Sequence, residues 1–218
     1  MMLADSLADI GLLDLGALAH AKLVREPFDF LVVPHFVPAD MAAAARRCFP
    51  LSAHGGVAPA VPAASGDCFD RLLDALCGPA FTEAMAAKFG VFLDPRALMV
   101  TIRSRCRPQD GRIHADSEDK VVTALIYLNA SWPHTGGMLR LLRGPDDIDA
   151  TVAEVPPLDG TLLAFRRSEH SFHGHLPYEG VRRAIMLNWM VDVGATRRET
   201  WRHSLSATAK RLMDVVGV

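Results

Sequence analysis

His114 and Asp116 stand one residue apart in Ile113-His114-Ala115-Asp116-Ser117, and a third donor, His173 in Ser171-Phe172-His173-Gly174-His175, follows 57 positions after Asp116. Two imidazoles and one carboxylate suit a mononuclear iron(II) site. They occupy one triangular face of an octahedron and leave the opposite positions open for a co-substrate and O2. On an extended strand, side chains two apart point the same way. His114 and Asp116 are therefore expected to reach one ion while Ala115 faces elsewhere. A closed zinc site would draw four ligands, usually including cysteines. Cys48, Cys68, Cys77 and Cys106 form no CxxC or CxxxxC pair, which makes zinc the weaker reading.

The elements that must position these donors change character along the chain. Residues 1–24 carry Leu3, Leu7, Ile10 and Leu13 at helical spacing. Phe28 to Val33 reads as a strand, and Pro38-Ala39-Asp40 opens a helix running to about Arg47. Ser52 to Gly66, rich in Ala, Gly and Pro, reads as a long loop with a lid as one option. Asp70 to Phe89 reads as helix broken near Gly78-Pro79.

From Ala97 onward, alternation replaces helical spacing. Strands are expected over Leu98–Cys106, Val121–Leu128, Met138–Leu142, Thr151–Val155, Thr161–Phe165, His173–Leu176 and Arg182–Val191. Many short strands without intervening helices predict a mainly β fold with flanking helices, a sandwich or jelly roll. A closing helix is expected in the tail from Arg197 to Val218.

Tyr127-Leu128-Asn129, Trp132, Gly136-Gly137-Met138-Leu139, Gly160-Thr161-Leu162, His173 and Arg182-Arg183-Ala184-Ile185 follow the His-x-Asp pair in that order. The ordered set resembles the prolyl-4-hydroxylase-like branch of the Fe(II)/2-oxoglutarate-dependent oxygenases. The likeness is close over about residues 95–192 and loose over 28–50. It implies a double-stranded β-helix (jelly roll, cupin-like) core and Fe(II), 2-oxoglutarate and O2 as cofactor and co-substrates. His114, Asp116 and His173 would be the iron ligands.

By the same resemblance, Arg182 would hold the distal carboxylate of 2-oxoglutarate, which a guanidinium fork grips bidentately. Arg183 is the reserve, because neighbours on a strand face opposite ways. Tyr127 would give its hydroxyl to that carboxylate, and Thr123, four residues earlier on the same strand, would line the pocket. The expected activity is a dioxygenase hydroxylating an unactivated C–H of an amino acid, peptide or related small molecule, with succinate and CO2 as co-products.

The chain also departs from the family pattern. Arg103, Ser104, Arg105, Cys106 and Arg107 stand where many relatives carry a tyrosine, and Asn188, beside Trp189, replaces an inward aromatic. Both changes make the pocket more polar. Arg103 and Arg105, expected on one strand face with Arg107 next in register, are candidates for an anionic substrate group, as are His175 and Asn188 for other substrate contacts. The competing reading of the arginines is a solvated face paired with Ser117-Glu118-Asp119. His134 and His170 read as bystanders.

With 218 residues, half of them hydrophobic, the chain suits a single domain with a full-sized core. It divides into supporting N-terminal elements (1–92), a core (93–192) and a tail (193–218). A net charge of −2 offers no electrostatic case for nucleic acid or an anionic membrane. No apolar run approaches the roughly 20 residues of a membrane span. Scattered cysteines and an N-terminus without a basic region point to the cytoplasm. The expected partner is a small-molecule, amino-acid or peptide substrate, bound by a monomer or homodimer. Two other readings stay open: a non-enzymatic jelly-roll module holding a metal and a carboxylate, and a cupin-like zinc hydrolase.

Overall fold

The computed structural model describes residues 11–51, 58–59 and 68–198. In chain order the elements are α1 (Leu15–His20), β1 (Phe30–Val33), α2 (Ala39–Arg47), β2 (Ala58–Pro59), α3 (Cys68–Cys77) and α4 (Pro79–Phe89). They continue with β3 (Leu98–Cys106), β4 (Lys120–Tyr127), β5 (Leu139–Leu142), β6 (Thr151–Val155), β7 (Leu162–Arg166), β8 (His173–Gly174) and β9 (Gly180–Met190). Helix α3 ends at Cys77, and α4, capped by Gly78, starts on Pro79, whose missing N–H costs nothing at a first helical position. The expected break lies there.

The strands form two antiparallel sheets, one of six strands in the order β1-β7-β4-β9-β3-β2 and one of three in the order β6-β5-β8. Together they make the jelly-roll core. Alternation along each strand explains why the larger sheet has two different faces. Ala124 and Ile126 of β4, and Ile185, Leu187 and Trp189 of β9, pack beneath the helices against Leu72, Leu76, Phe81 and Met85. The intervening Leu125, Tyr127 and Ala184 turn the other way, with Leu163 and Phe165 of β7, toward Leu139 and Leu141 of the smaller sheet. The helices thus cover one face of the large sheet and leave the other free to form an internal cavity.

Two local expectations are corrected. The His114-x-Asp116 segment is not a full strand: it makes a single antiparallel bridge, with His114 N donating to His173 O at 3.0 Å and His173 N to His114 O at 2.9 Å. The chain then turns, Lys120 N donating to Ser117 O. Strand β8 is two residues long rather than four. Its continuation meets Pro177, which has no N–H for a ladder. The first ten residues, most of the 52–66 loop with its lid option, and the tail beyond residue 198 lie outside the described residues. No helix among the described residues is long and apolar enough to cross a membrane.

Candidate active site

The reciprocal bridge between His114 and His173 sets their side chains next to one another, with ring centroids 4.4 Å apart. Each ring is oriented through its Nδ1, which lies 2.9 Å from a backbone carbonyl, Arg112 O for His114 and Ser171 O for His173. A carbonyl can only accept, so Nδ1 carries the proton and the lone pair of Nε2 is left for a ligand. This carbonyl-braced imidazole is the usual state of a metal-bound histidine. One donor atom from each of His114, Asp116 and His173 lies within 4.8 Å of the others. Two imidazoles and a carboxylate this close, beside a cavity, fit Fe(II).

Asp116 is buried, and both its oxygens are engaged: Lys120 Nζ donates to Oδ1 at 2.6 Å and Thr123 Oγ1 to Oδ2 at 2.6 Å. Burial pushes its carboxyl up. The charge of Lys120 and the neighbouring His173, with these hydrogen bonds, more than reverses that and holds it at about 2. His173 is itself driven down to about 4, chiefly by burial. It is therefore neutral near pH 7, and Lys120 is the working counter-charge. Burial also takes His175 down to about 4.

The cavity beside these donors has a volume of about 320 Å³ and is floored by the free face of the large sheet. Register arranges that face of the sheet in ranks across β3, β9 and β4. Met99, Asn188 and Thr123 form one, Thr101, Met186 and Leu125 the next, and Arg103, Ala184 and Tyr127 the third. The first rank touches the metal donors, since Thr123 contacts both Asp116 and, at 3.1 Å, Asn188 Oδ1. Thr123 has one hydroxyl proton, which goes to the carboxylate. The Asn188 amide is then satisfied by turning its nitrogen, otherwise unpaired, onto Thr123 Oγ1.

Arg182 lies past the third rank. Its guanidinium lines the cavity, is 3 % exposed, and pairs with no carboxylate among the described residues. Nε donates to Gly137 O at 2.8 Å and Nη2 to Tyr127 Oη at 3.3 Å, with the guanidinium 5.1 Å from the tyrosine ring centre. A buried cation with neutral partners is poised for an anion. Gly137 is needed there: at φ +77° a side chain is strained, and a Cβ would come within 2.7 Å of Trp132. Arg183 faces the opposite side of β9, where Arg46 depresses its pKa further after burial.

The structure sorts the remaining sequence candidates. Thr123, Arg103, His175 and Asn188 line the cavity. Tyr127 does not; it is fully buried, and its hydroxyl reaches the site through Arg182. Arg105 does not either. A register shift between Arg103 and Arg105 puts an extra residue in β9 and breaks the expected single-faced row. Nor do the arginines pair as expected. Arg107 bonds Asp110 through its backbone N at 3.0 Å and Nη2 at 3.2 Å, and Arg103 Nη1 lies 3.8 Å from the same carboxylate. Glu118 and Asp119 instead face Arg167 and Arg198. Ala115, expected to face elsewhere, lines the cavity. Lys120 and Asp110 are site residues that the sequence reading missed. Position four after Asp116 could have flagged Lys120, but only the turn at Ser117 brings it back. His134 and His170 are exposed.

The model described as the 2OG-Fe(II) oxygenase superfamily matches residues 103–191. No curated protein matches the sequence. Among solved structures, a Pseudomonas putida prolyl-4-hydroxylase is 22% identical, with 81% of this chain and 96% of that chain covered and a TM-score of 0.56. A structure of prolyl 4-hydroxylases from Phytophthora capsici is 19% identical over 73% of this chain and 57% of that one, at a TM-score of 0.54. A 2OG-Fe(II) oxygenase family oxidoreductase from Burkholderia pseudomallei is 14% identical over 77% and 87%, at 0.52. At these identities the likeness is one of fold.

Proposed function

We propose that this chain, whose residues 103–191 match the model of the 2OG-Fe(II) oxygenase superfamily, is an oxygenase of that kind that hydroxylates an unactivated C–H of an amino acid, peptide or related small molecule. The overall change is R–H + 2-oxoglutarate + O2 → R–OH + succinate + CO2, with one oxygen atom entering the alcohol and the other succinate. Bound Fe(II) supplies the open coordination positions and the redox chemistry for O2.

The chain's own residues do the rest. His114, Asp116 and His173 would hold the ion, and carbonyls at Arg112 and Ser171 fix the two rings. The charge of Lys120 keeps Asp116 ionised, and the Thr123 hydroxyl orients it. Arg182 would take the far carboxylate of 2-oxoglutarate, with Tyr127 and the Gly137 carbonyl holding its guanidinium in place. Leu125, Leu139, Phe165 and Met186 give the cavity its apolar walls, which exclude water from between the two polar ends.

The observation that carries this reading is one cavity joining three converging donors to a buried, carboxylate-free guanidinium. Retaining a metal needs no such cation. Anaerobic addition of 2-oxoglutarate to the Fe(II) protein should therefore give a visible charge-transfer absorption, and admission of O2 should yield succinate. A chelator should abolish both and Fe(II) restore them. A colourless protein that forms no succinate would instead favour an inert binding module.

A further inference from the structure

Arg182 stands on an irregularity of its strand. β3 pairs with β9 through Arg103 and Ala184 on one side and through Arg105 and Val181 on the other, so Ser104 alone lies opposite both Arg182 and Arg183. Such a bulge re-aims side chains and disrupts the ladder on its own side. Support for it has to come from the other neighbour, β4. There the regular pairing stops at Tyr127 and Ala184, followed by one bond from Leu128 N to Arg183 O at 3.2 Å. The backbone then leaves β9: Asn129 makes a parallel bridge with Leu158, and its carbonyl accepts from Asp159 N at 2.9 Å.

The side chain of Asn129 stays behind. Its Oδ1 accepts from Arg183 N at 3.0 Å, while Nδ2 donates to Arg183 O at 3.3 Å and to Pro157 O at 2.6 Å. A backbone N–H only donates and a carbonyl only accepts, so these partners fix which way the amide is turned. A carboxamide offers the same donor and acceptor as a peptide group. Here it fills the place in the ladder that the departing backbone vacates. Asn129 is 4% exposed and is not among the residues lining the cavity. Tyr127, two residues earlier, gives Arg182 Nη2 its acceptor at 3.3 Å. That contact requires β4 and the bulge to keep one register, and the carboxamide sets the register one residue from Arg182.

Resting on the oxygenase reading above, with Arg182 as the anchor of 2-oxoglutarate, we infer that Asn129 is a positioning residue for co-substrate binding. Its carboxamide holds the β9 bulge in the register that presents the Arg182 guanidinium to the cavity. It touches neither the metal donors nor the cavity and acts through Arg182.

The test is a double-mutant cycle on the full chain, read by anaerobic titration of the Fe(II) protein with 2-oxoglutarate at the charge-transfer absorption. Asn129→Ala should weaken 2-oxoglutarate binding by about tenfold, the order lost when a binding side chain is no longer held in place, and leave Fe(II) affinity unchanged. With Arg182→Met already present, the same substitution should cost less than about twofold more, because both act through one guanidinium. A merely structural role would lower the unfolding temperature with no change in 2-oxoglutarate affinity. That outcome, or equal losses in the two backgrounds, would overturn the inference. The wild type supplies a check that survives if the variant does not fold. Coupling is reciprocal, so 2-oxoglutarate should slow hydrogen exchange in peptides spanning residues 180–184 of the Fe(II) protein, and unaltered exchange there would also overturn it. Two controls separate these failures from failure of the reading beneath them. Absence of the absorption in the wild type defeats the oxygenase reading, full affinity in Arg182→Met removes Arg182 as the anchor, and either takes this inference with it.

Discussion

The ammonium of Lys120 lies 2.6 Å from Asp116 Oδ1, so the one carboxylate among the three candidate metal donors already has a cationic partner from its own chain. Both side chains are largely buried, at 11% and 6% exposure. In the metal-free protein Lys120 supplies the counter-charge; with Fe(II) present, it becomes a second cation beside the same oxygen pair.

Lys120→Met should therefore have opposite effects on the two forms. The metal-free protein loses about 3 kcal/mol, because breaking a buried pair strands a charge. Fe(II) binding tightens by about tenfold, or ~1.4 kcal/mol, because a competing cation is gone. Urea unfolding of the metal-free variant and anaerobic Fe(II) titration measure the two. Weaker iron binding would mean that Lys120 orients the carboxylate rather than competing for it.

Arg182 and Tyr127 should separate by magnitude. Arg182→Met removes the anchor itself and should raise the KM for 2-oxoglutarate by about 100-fold, as loss of a charge-assisted pair does. Tyr127→Phe removes only the hydroxyl that receives Arg182 Nη2. That bond has a cationic donor but is long, at 3.3 Å, which leaves it worth about 1 kcal/mol, so KM should rise about fivefold. Steady-state succinate assays with varied 2-oxoglutarate decide this. Equal effects would place the tyrosine hydroxyl directly on the co-substrate.

Gly137→Ala tests whether the backbone carbonyl under Arg182 matters. A side chain at φ +77° is strained, and its Cβ would collide with Trp132. The turn must shift, and the carbonyl that accepts from Arg182 Nε shifts with it. Stability should fall by about 1–3 kcal/mol, with a higher KM for 2-oxoglutarate and unchanged Fe(II) affinity. Thermal unfolding and the same assays provide the readouts.

Acid should destabilise the metal-free fold in a defined window. Burial holds both His173 and His175 at about 4, below the ordinary 6.5. Between those limits the unfolded chain binds protons that the folded chain refuses, so stability falls as pH drops from about 6.5 toward 4. The limiting slope is about 1.4 kcal/mol per pH unit for each group. Asp116, held at about 2, adds stability above its ordinary 3.8 that is lost on further acidification through 2. Urea midpoints measured from pH 7 to 4 should fall steadily, and His175→Gln should flatten the curve. A flat wild-type profile would contradict the neutral, buried state of both rings.

Much of the architecture was legible because local periodicity and burial coincide. The Gly78-Pro79 break, the strand in the Val121–Leu128 region and the jelly-roll class all follow from patterns that repeat within a few residues. Single-face readings failed where the ladder slipped. Arg105 leaves the face of Arg103 at a register shift produced by an extra residue in the partner strand β9, which nothing near Arg105 in sequence announces. The same limit hid Asp110, whose role depends on Arg103 and Arg107 folding back to it.

Residue type and order alone pointed to the candidate donors His114, Asp116 and His173, and to the arginine that could face them. Coordination chemistry admits few combinations of side chains, and residue types and their order are enough to recognise one. Tertiary structure alone decided which groups meet those residues: Lys120 against Asp116, Tyr127 beneath Arg182, and Asn129 beside Arg183. Those relationships are set by sheet register, turn geometry and the distance between strands remote in sequence, none of which a local pattern encodes.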